Sequence, residues 1–188
     1  MLTIKFFQGL FYMGLSLFLS SLIVSEAQLG SSTLVGTVSS ATSMLSIIAT
    51  AGIFLWLKVF KGASNCVGMI LVGLSSLSVG MYPTLAVIVI AMCVRAIAIQ
   101  GNHVSVTTLM SIGPKGKVLS TITGIFVAIT FISEALGGYV IPWLSNLVFQ
   151  STLPSYCLKI AGIGCIITGL IGLPFYRKMY TDVILKQK

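Results

Sequence analysis

Residues 84–110 read TLAVIVIAMCVRAIAIQGNHVSVTTLM, twenty-seven residues that carry a single formal charge, Arg95. A bilayer core of about 30 Å takes about 20 helical residues. This stretch is therefore long and apolar enough to cross a membrane as a helix. Five more stretches of the same kind flank it, at 4–24, 33–56, 63–80, 118–141 and 157–176. Each is ended by charge, by Gly, Pro or Asn, or by a polar cluster. The connecting segments 25–32, 57–62, 81–83, 111–117 and 142–156, and the tail from Arg177, are too short to hold a second domain. The expectation is an all-α, polytopic membrane protein in which residues 1–188 form one bundle of six transmembrane helices.

Composition points the same way. Of 188 residues, 56% are hydrophobic and 7% charged, with mean hydropathy +1.08, against about 45–50% and about 25% in a soluble domain. A disordered chain needs low hydrophobicity. A nucleic-acid partner needs basic residues gathered on one face, whereas the 11 Lys and Arg here are scattered between apolar runs. Their placement sets topology instead, because loops on the cytoplasmic side carry the Lys/Arg excess. With the N-terminus inside, Lys5, Lys58, Lys61, Lys115, Lys117, Arg177, Lys178, Lys186 and Lys188 fall on the inner side. Lys159 sits at the outer end of the sixth span, where it snorkels, and Arg95 lies within the fourth. The net charge of +8 is thus mostly a topology signal. The expected location is the plasma or inner membrane, multi-pass, N-in and C-in. The first apolar run lacks a short h-region followed by an A-x-A site and reads as a span rather than a signal peptide.

Enzymatic chemistry finds no foothold. Cys66, Cys93, Cys157 and Cys165 form no C-x-x-C pair and read as small hydrophobes. The single histidine has no nearby Cys/His/Glu cluster to make a metal site. Ser75 and Ser76 lack an identifiable Asp/His partner, and no Gly-rich phosphate loop follows a strand. The expectation is no enzyme and no cofactor. Small residues crowd the second span from Gly36 to Gly52, and Ala161, Cys165 and Gly169 recur at i, i+4, i+8 on the sixth. Both patterns suit close helix packing or a sliding contact.

Charged groups at membrane depth cost about 2.5–3.5 kcal/mol on insertion scales and mark function by default. Arg95 and Glu134 stand out. On a helical wheel Arg95 and Asn102 fall within about 20° of each other, with Gln100, His103 and Thr107 about 80–140° away. On the fifth span Ser120, Thr123, Thr130 and Glu134 form a stripe about 80° wide. Both charges are expected in the outer half of their spans. Two readings stay open: an Arg95–Glu134 ion pair with a purely structural role, or Arg95 attracting an anionic group or modulating Glu134 as a protonatable site. His103 serves as a proton relay or an interhelical hydrogen-bonding group. Arg95, Gln100, Asn102, His103, Thr130 and Glu134 are the expected lining of a substrate or ion pathway.

The order of these features resembles one six-helix half of a major facilitator superfamily transporter over nearly the whole chain. Arg95-Ala-Ile-Ala-Ile-Gln-Gly101 is similar to the helix-four signature R-x-x-Q-G-x-G, with Ala98 and Ile99 in place of Gln and the first Gly. Gly113-Pro-Lys-Gly-Lys117 looks like the basic turn before helix five. Ser133-Glu-Ala-Leu-Gly-Gly138 resembles the helix-five signature G-P-x-x-G-G, with Ser133 for Gly and Glu134 for Pro. Gly52 to Lys61 stands where the family has G-x-x-x-D-R-x-G-R-R, with Trp56 at the Asp position. The resemblance implies secondary-active transport of a small-molecule solute, two such halves around a site near the midplane, and alternating access. The implied partners are the lipid bilayer, the solute, and either a second copy in a parallel homodimer or a missing second six-helix half. Two rivals remain. A substrate-capture subunit of an energy-coupling-factor importer has this size and topology, although the first span shows no clear A-x-x-x-A docking stripe. A truncated or non-transporting membrane subunit is the other.

Overall fold

The computed structural model describes the backbone of residues 2–112 and 117–185 and the side chains of 2–102 and 120–182. It contains six helices long and apolar enough to cross a membrane, and no strand among the described residues. They are α1 (Leu2–Glu26), α2 (Ser32–Ala51), α3 (Ile53–Met81), α4 (Leu85–Ile112), α5 (Lys117–Phe149) and α6 (Pro154–Leu185). The expected basic turn at 113–117, the His103 side chain, Lys186 and Lys188 lie outside the described residues.

Helix boundaries differ from expectation at three places. The second span, expected over 33–56, is interrupted at Gly52, whose N–H reaches back to the Ala49 carbonyl. Residues beyond it form the first arm of α3, Ile53–Phe60. That arm joins Ser64–Met81 through the tight turn Lys61–Ala63, with Lys61 at φ 45°. The segment 57–62, expected as a loop, is thus largely helical. The fifth span, expected to stop at 141, runs through Pro142 to Phe149. A proline inside a helix removes one bond to the carbonyl four residues back. Here that residue is Gly138, whose carbonyl gives up its helical bond while the helix continues to Phe149, until Gln150 turns to φ 53°. The sixth begins at Pro154, a residue suited to a first helical turn, and passes Pro174 to end at Leu185.

The most extensive contact joins α3 to α6. At its centre a Cβ on Gly73 would lie 2.7 Å from the Gly162 carbonyl oxygen, and one on Gly162 would lie 2.7 Å from that of Gly73. The expected small-residue face of α6 is used here, with Ala161 and Cys165 fully buried and Gly169 against Ile70. α4 packs on α3, α1 on α6, α5 on α1, and α2 on α4. The helices therefore follow the spatial order α2, α4, α3, α6, α1, α5. Exchanging the first three helices with the last three maps this order onto itself.

The small residues of α2 pack little within this chain, for only Val38 and Thr42 are buried. The hydroxyls of Thr37, Thr42, Ser43, Ser46 and Thr50 instead donate to carbonyls of their own helix. Large apolar side chains stand exposed along α2 and α5, among them Ile47, Phe131, Trp143 and Leu147. A surface this apolar suits lipid and not water.

At the end of the bundle where α1 finishes, a π turn over Leu22–Glu26 brings the Glu26 carboxylate to the start of α6. The Ser155 N–H donates to Oε2 at 2.8 Å and the Ser155 hydroxyl donates to Oε1. A carboxylate there meets the positive end of the helix dipole and free N–H groups. Glu26→Ala is expected to cost about 1 kcal/mol, read as a lowered midpoint in unfolding of the detergent-solubilised protein. An unchanged midpoint removes the cap from the account.

Candidate functional site

A polar face of α1 organises the interior. Lys5, Gln8, Tyr12 and Ser16 fall within about 80° on the helical wheel, and α1 lies between α5 and α6 with its Ser16 level reaching α4. Lys5, expected among the inner-side cations, is a buried residue near the start of α1, with 7% exposure and its Nζ 5.2 Å from the centroid of the Phe126 ring of α5. An ammonium over a ring face is attracted by the π quadrupole.

Arg95 comes from α4, where its exposure is 8%. Its Nη2 donates to the Ser16 hydroxyl at 2.6 Å, while its Nε is buried and has no partner. Ser16 itself is exposed. The expected Arg95–Glu134 ion pair does not form; among the described residues neither Arg95 nor Lys5 makes one.

Glu134 is half-buried and sits near the middle of α5, seventeen residues after Lys117 and fifteen before Phe149. The extension of α5 beyond Pro142 puts Glu134 at mid-helix instead of toward the end of the expected 118–141 span. Its level against α1 is fixed by close backbone approach, with Gly9 against Ser133 and Gly137 against the Leu10 carbonyl. Residues 9–10 lie about 7 Å along α1 from Lys5 and about 10 Å from Ser16, at 1.5 Å per residue.

Asn102 belongs to a different constellation. The Tyr176 hydroxyl donates to Gln8 Oε1 at 3.4 Å, Gln8 Nε2 donates to Asn65 Oδ1 at 3.1 Å, and Asn65 Nδ2 donates to Asn102 Oδ1 at 2.6 Å. The four side chains come from α6, α1, α3 and α4 and are each at most 1% exposed. The chain ends on the Nδ2 of Asn102, which has no partner. Although Arg95 and Asn102 share a helical face, seven residues separate them by about 10 Å.

The other expected lining residues are dispersed. Thr130 donates its hydroxyl to the Phe126 carbonyl of its own helix at 2.9 Å, and Gln100 is half-buried. Trp56 lies against α4 at Gly101, where an added Cβ would fall 2.4 Å from the indole, and its Nε1 is buried without a partner. Two apolar grooves open on the outside of the bundle. One, of about 520 Å³, lies between α2, the first arm of α3 and α4. The other, of about 500 Å³, lies between α1 and α6. Neither is lined by Arg95, Gln100, Asn102, Thr130 or Glu134.

The structure thus sets Ser16 on Arg95 and buries Lys5 against Phe126, two α1 residues absent from the expected lining. Their signal is present in the sequence: Lys5, Gln8, Tyr12 and Ser16 recur at helical spacing inside an otherwise apolar run. These features define a chain with six helices of membrane-spanning length and a charged interior between α1, α4 and α5. Comparison with known protein families, curated proteins and solved structures gives no match to this chain.

Proposed function

We propose that this protein is a secondary-active transporter of a small solute, built as one six-helix half of the major facilitator type and acting in the plasma or inner membrane with both termini inside. The observation that carries the reading is the set Lys5, Glu134 and Arg95, three ionisable groups buried or half-buried on α1, α5 and α4, helices of membrane-spanning length. Such groups are expensive unless they bind or move charge. Ionised Glu134 leaves the set one positive charge in excess, and protonated Glu134 leaves two. One proton thereby changes the attraction of the site for a charged solute, which is the elementary requirement for coupling.

The exchange of α1–α3 with α4–α6 supports an inverted repeat of the kind found in transporters. A second copy of the chain, parallel to the first, completes the translocation path. The least buried spans are α2 and α5, with 11% and 22% buried, and a Cβ added at Gly36, Gly124 or Gly138 would meet nothing within 4 Å. These open small-residue positions suit close approach of another helix surface. A native complex near twice 19.9 kDa after subtraction of detergent is the expected mass; a complex with a different chain replaces the homodimer by a missing second half.

Glu134→Gln tests the coupling role. In proteoliposomes the variant is expected to insert normally and to lose the pH dependence of solute uptake. An unchanged pH profile removes Glu134 from the mechanism.

A further inference from the structure

The charge balance between α1, α4 and α5 is uneven. Two cations, each more than nine-tenths buried, face one half-buried carboxylate. Lys5 is the nearer to Glu134 by level along α1, so Glu134 is matched chiefly by Lys5. Arg95 is left with one hydrogen bond, from Nη2 to a neutral serine, and with a buried Nε that bonds to nothing.

A buried donor without an acceptor is destabilising, more so on a charged group, and an unneutralised guanidinium in a membrane-spanning helix adds to that cost. The group that relieves both is an anion with two acceptor oxygens, because Nε and Nη2 lie on one edge of the planar guanidinium and match a carboxylate in a fork. The Ser16 hydroxyl accepts from Nη2 and keeps its own hydrogen to donate. Ser16 is exposed whereas Arg95 is not, so the hydroxyl is the accessible member of the pair.

We infer that Arg95, with Ser16 beside it, binds a small organic monoanion by its carboxylate, and that such an anion is the solute. The inference rests on the transport reading for the purpose of the site, but binding is separable from movement. One surplus charge sets the valence at one. The position of Arg95, ten residues from the Leu85 end of α4, places the site in the half of the bundle nearer the end of α1 that carries Glu26.

The test compares isosteric acid and amide pairs. The purified full chain, in nanodiscs of phosphatidylcholine at constant ionic strength, is titrated with sodium acetate and sodium lactate and with acetamide and lactamide. Heat release and thermal unfolding are followed. Acetate or lactate is expected to bind saturably and raise the unfolding midpoint, while the amides bind at least tenfold more weakly. Arg95→Lys keeps the charge but loses the fork and is expected to weaken binding by about tenfold or more. Ser16→Ala, at an exposed position that tolerates the change, weakens it several-fold and serves if the arginine variant does not fold. Lys159→Gln leaves it unchanged.

Equal binding of acid and amide, absence of saturable acid binding, or full retention in the Ser16 and Arg95 variants overturns the inference. Flux in proteoliposomes separates the two ideas. Acid that binds but does not cross leaves the site standing and removes the transport reading. Amide that crosses while acid does not leaves transport standing and removes the anion site.

Discussion

Gly73→Leu is expected to prevent assembly of the bundle. The first atom of any side chain at Gly73 would lie 2.7 Å from the Gly162 carbonyl oxygen, 2.8 Å from Ile166 Cγ1 and 2.9 Å from Cys165 Cβ. Gly162 makes the reciprocal contact, 2.7 Å from the Gly73 carbonyl and 2.8 Å from the Leu77 nitrogen. The nearest obstructing atoms are backbone, so no change of rotamer relieves them. The two helices must separate along the most extensive interface of the molecule. Overpacking with even one methyl costs about 1–3 kcal/mol, and in lipid the loss of close packing is the loss of the main attraction between helices. Gly73→Ala is therefore expected to lower stability by that amount. Gly73→Leu is expected to give little monodisperse protein on size-exclusion chromatography in detergent. Gly124→Ala supplies the contrast, since nothing lies within 4 Å of its added Cβ. It is expected to be neutral or to stabilise by up to about 1 kcal/mol through helix propensity. Similar behaviour of the two alanine variants would dismiss the α3–α6 contact.

Asn65→Leu carries the second largest expected effect. Asn65 accepts from Gln8 and donates to Asn102, and all three are buried. Its short side chain spans to α4 because the backbones are close: a Cβ on Gly68 would be 2.8 Å from the Ala98 carbonyl. The substitution leaves Gln8 Nε2 and Asn102 Oδ1 without their partners. At about 1–2 kcal/mol for each interhelical bond in a membrane, the expected loss is about 2–4 kcal/mol. Chemical unfolding in mixed micelles measures it. Gln8→Leu and the double variant close the cycle; the Gln8–Asn65 coupling is expected near about 1 kcal/mol. Strict additivity would mean that the 3.1 Å contact contributes nothing to the fold.

Helix number is legible in the sequence because lipid imposes it. A segment of about 20 apolar residues must satisfy its backbone internally, and a helix is the form that does so without partners. Helix ends are less legible. Pro142 and Gly52 are equally strong punctuation in a sequence, yet the helix passes through the first and breaks at the second. At Gly52 the N–H bonds to the Ala49 carbonyl three residues back and α2 ends, whereas α5 continues to Phe149 with the Gly138 carbonyl giving up its helical bond. Residue type alone does not separate the two outcomes.

The candidate site divides in the same way. Arg95 and Glu134 stand out in any apolar run, and the structure places both beside α1. The ion pair between them does not form: the approach of α5 to α1 at Gly9 and Gly137 sets Glu134 level with residues 9–10, whereas Arg95 meets α1 at Ser16. Asn102 is a neighbour of Arg95 by its wheel angle. Angle alone ignores the rise of 1.5 Å per residue, and Asn102 is claimed by Asn65 at a different level. Lys5 gives no such signal, because a lysine near the start of a span ordinarily snorkels to the interface.

Sequence alone determined that the chain has six apolar helices, where its cationic loops fall, and which charges lie at membrane depth, because these follow from the transfer free energies of individual residues. Tertiary structure alone decided that Lys5 and Arg95 are buried without an ion pair among the described residues, that the Arg95 Nε has no partner, and that four polar side chains close into one buried chain. Those outcomes depend on helix order and register, which Gly73, Gly162, Gly9 and Gly137 set through backbone approach, and no single residue encodes them.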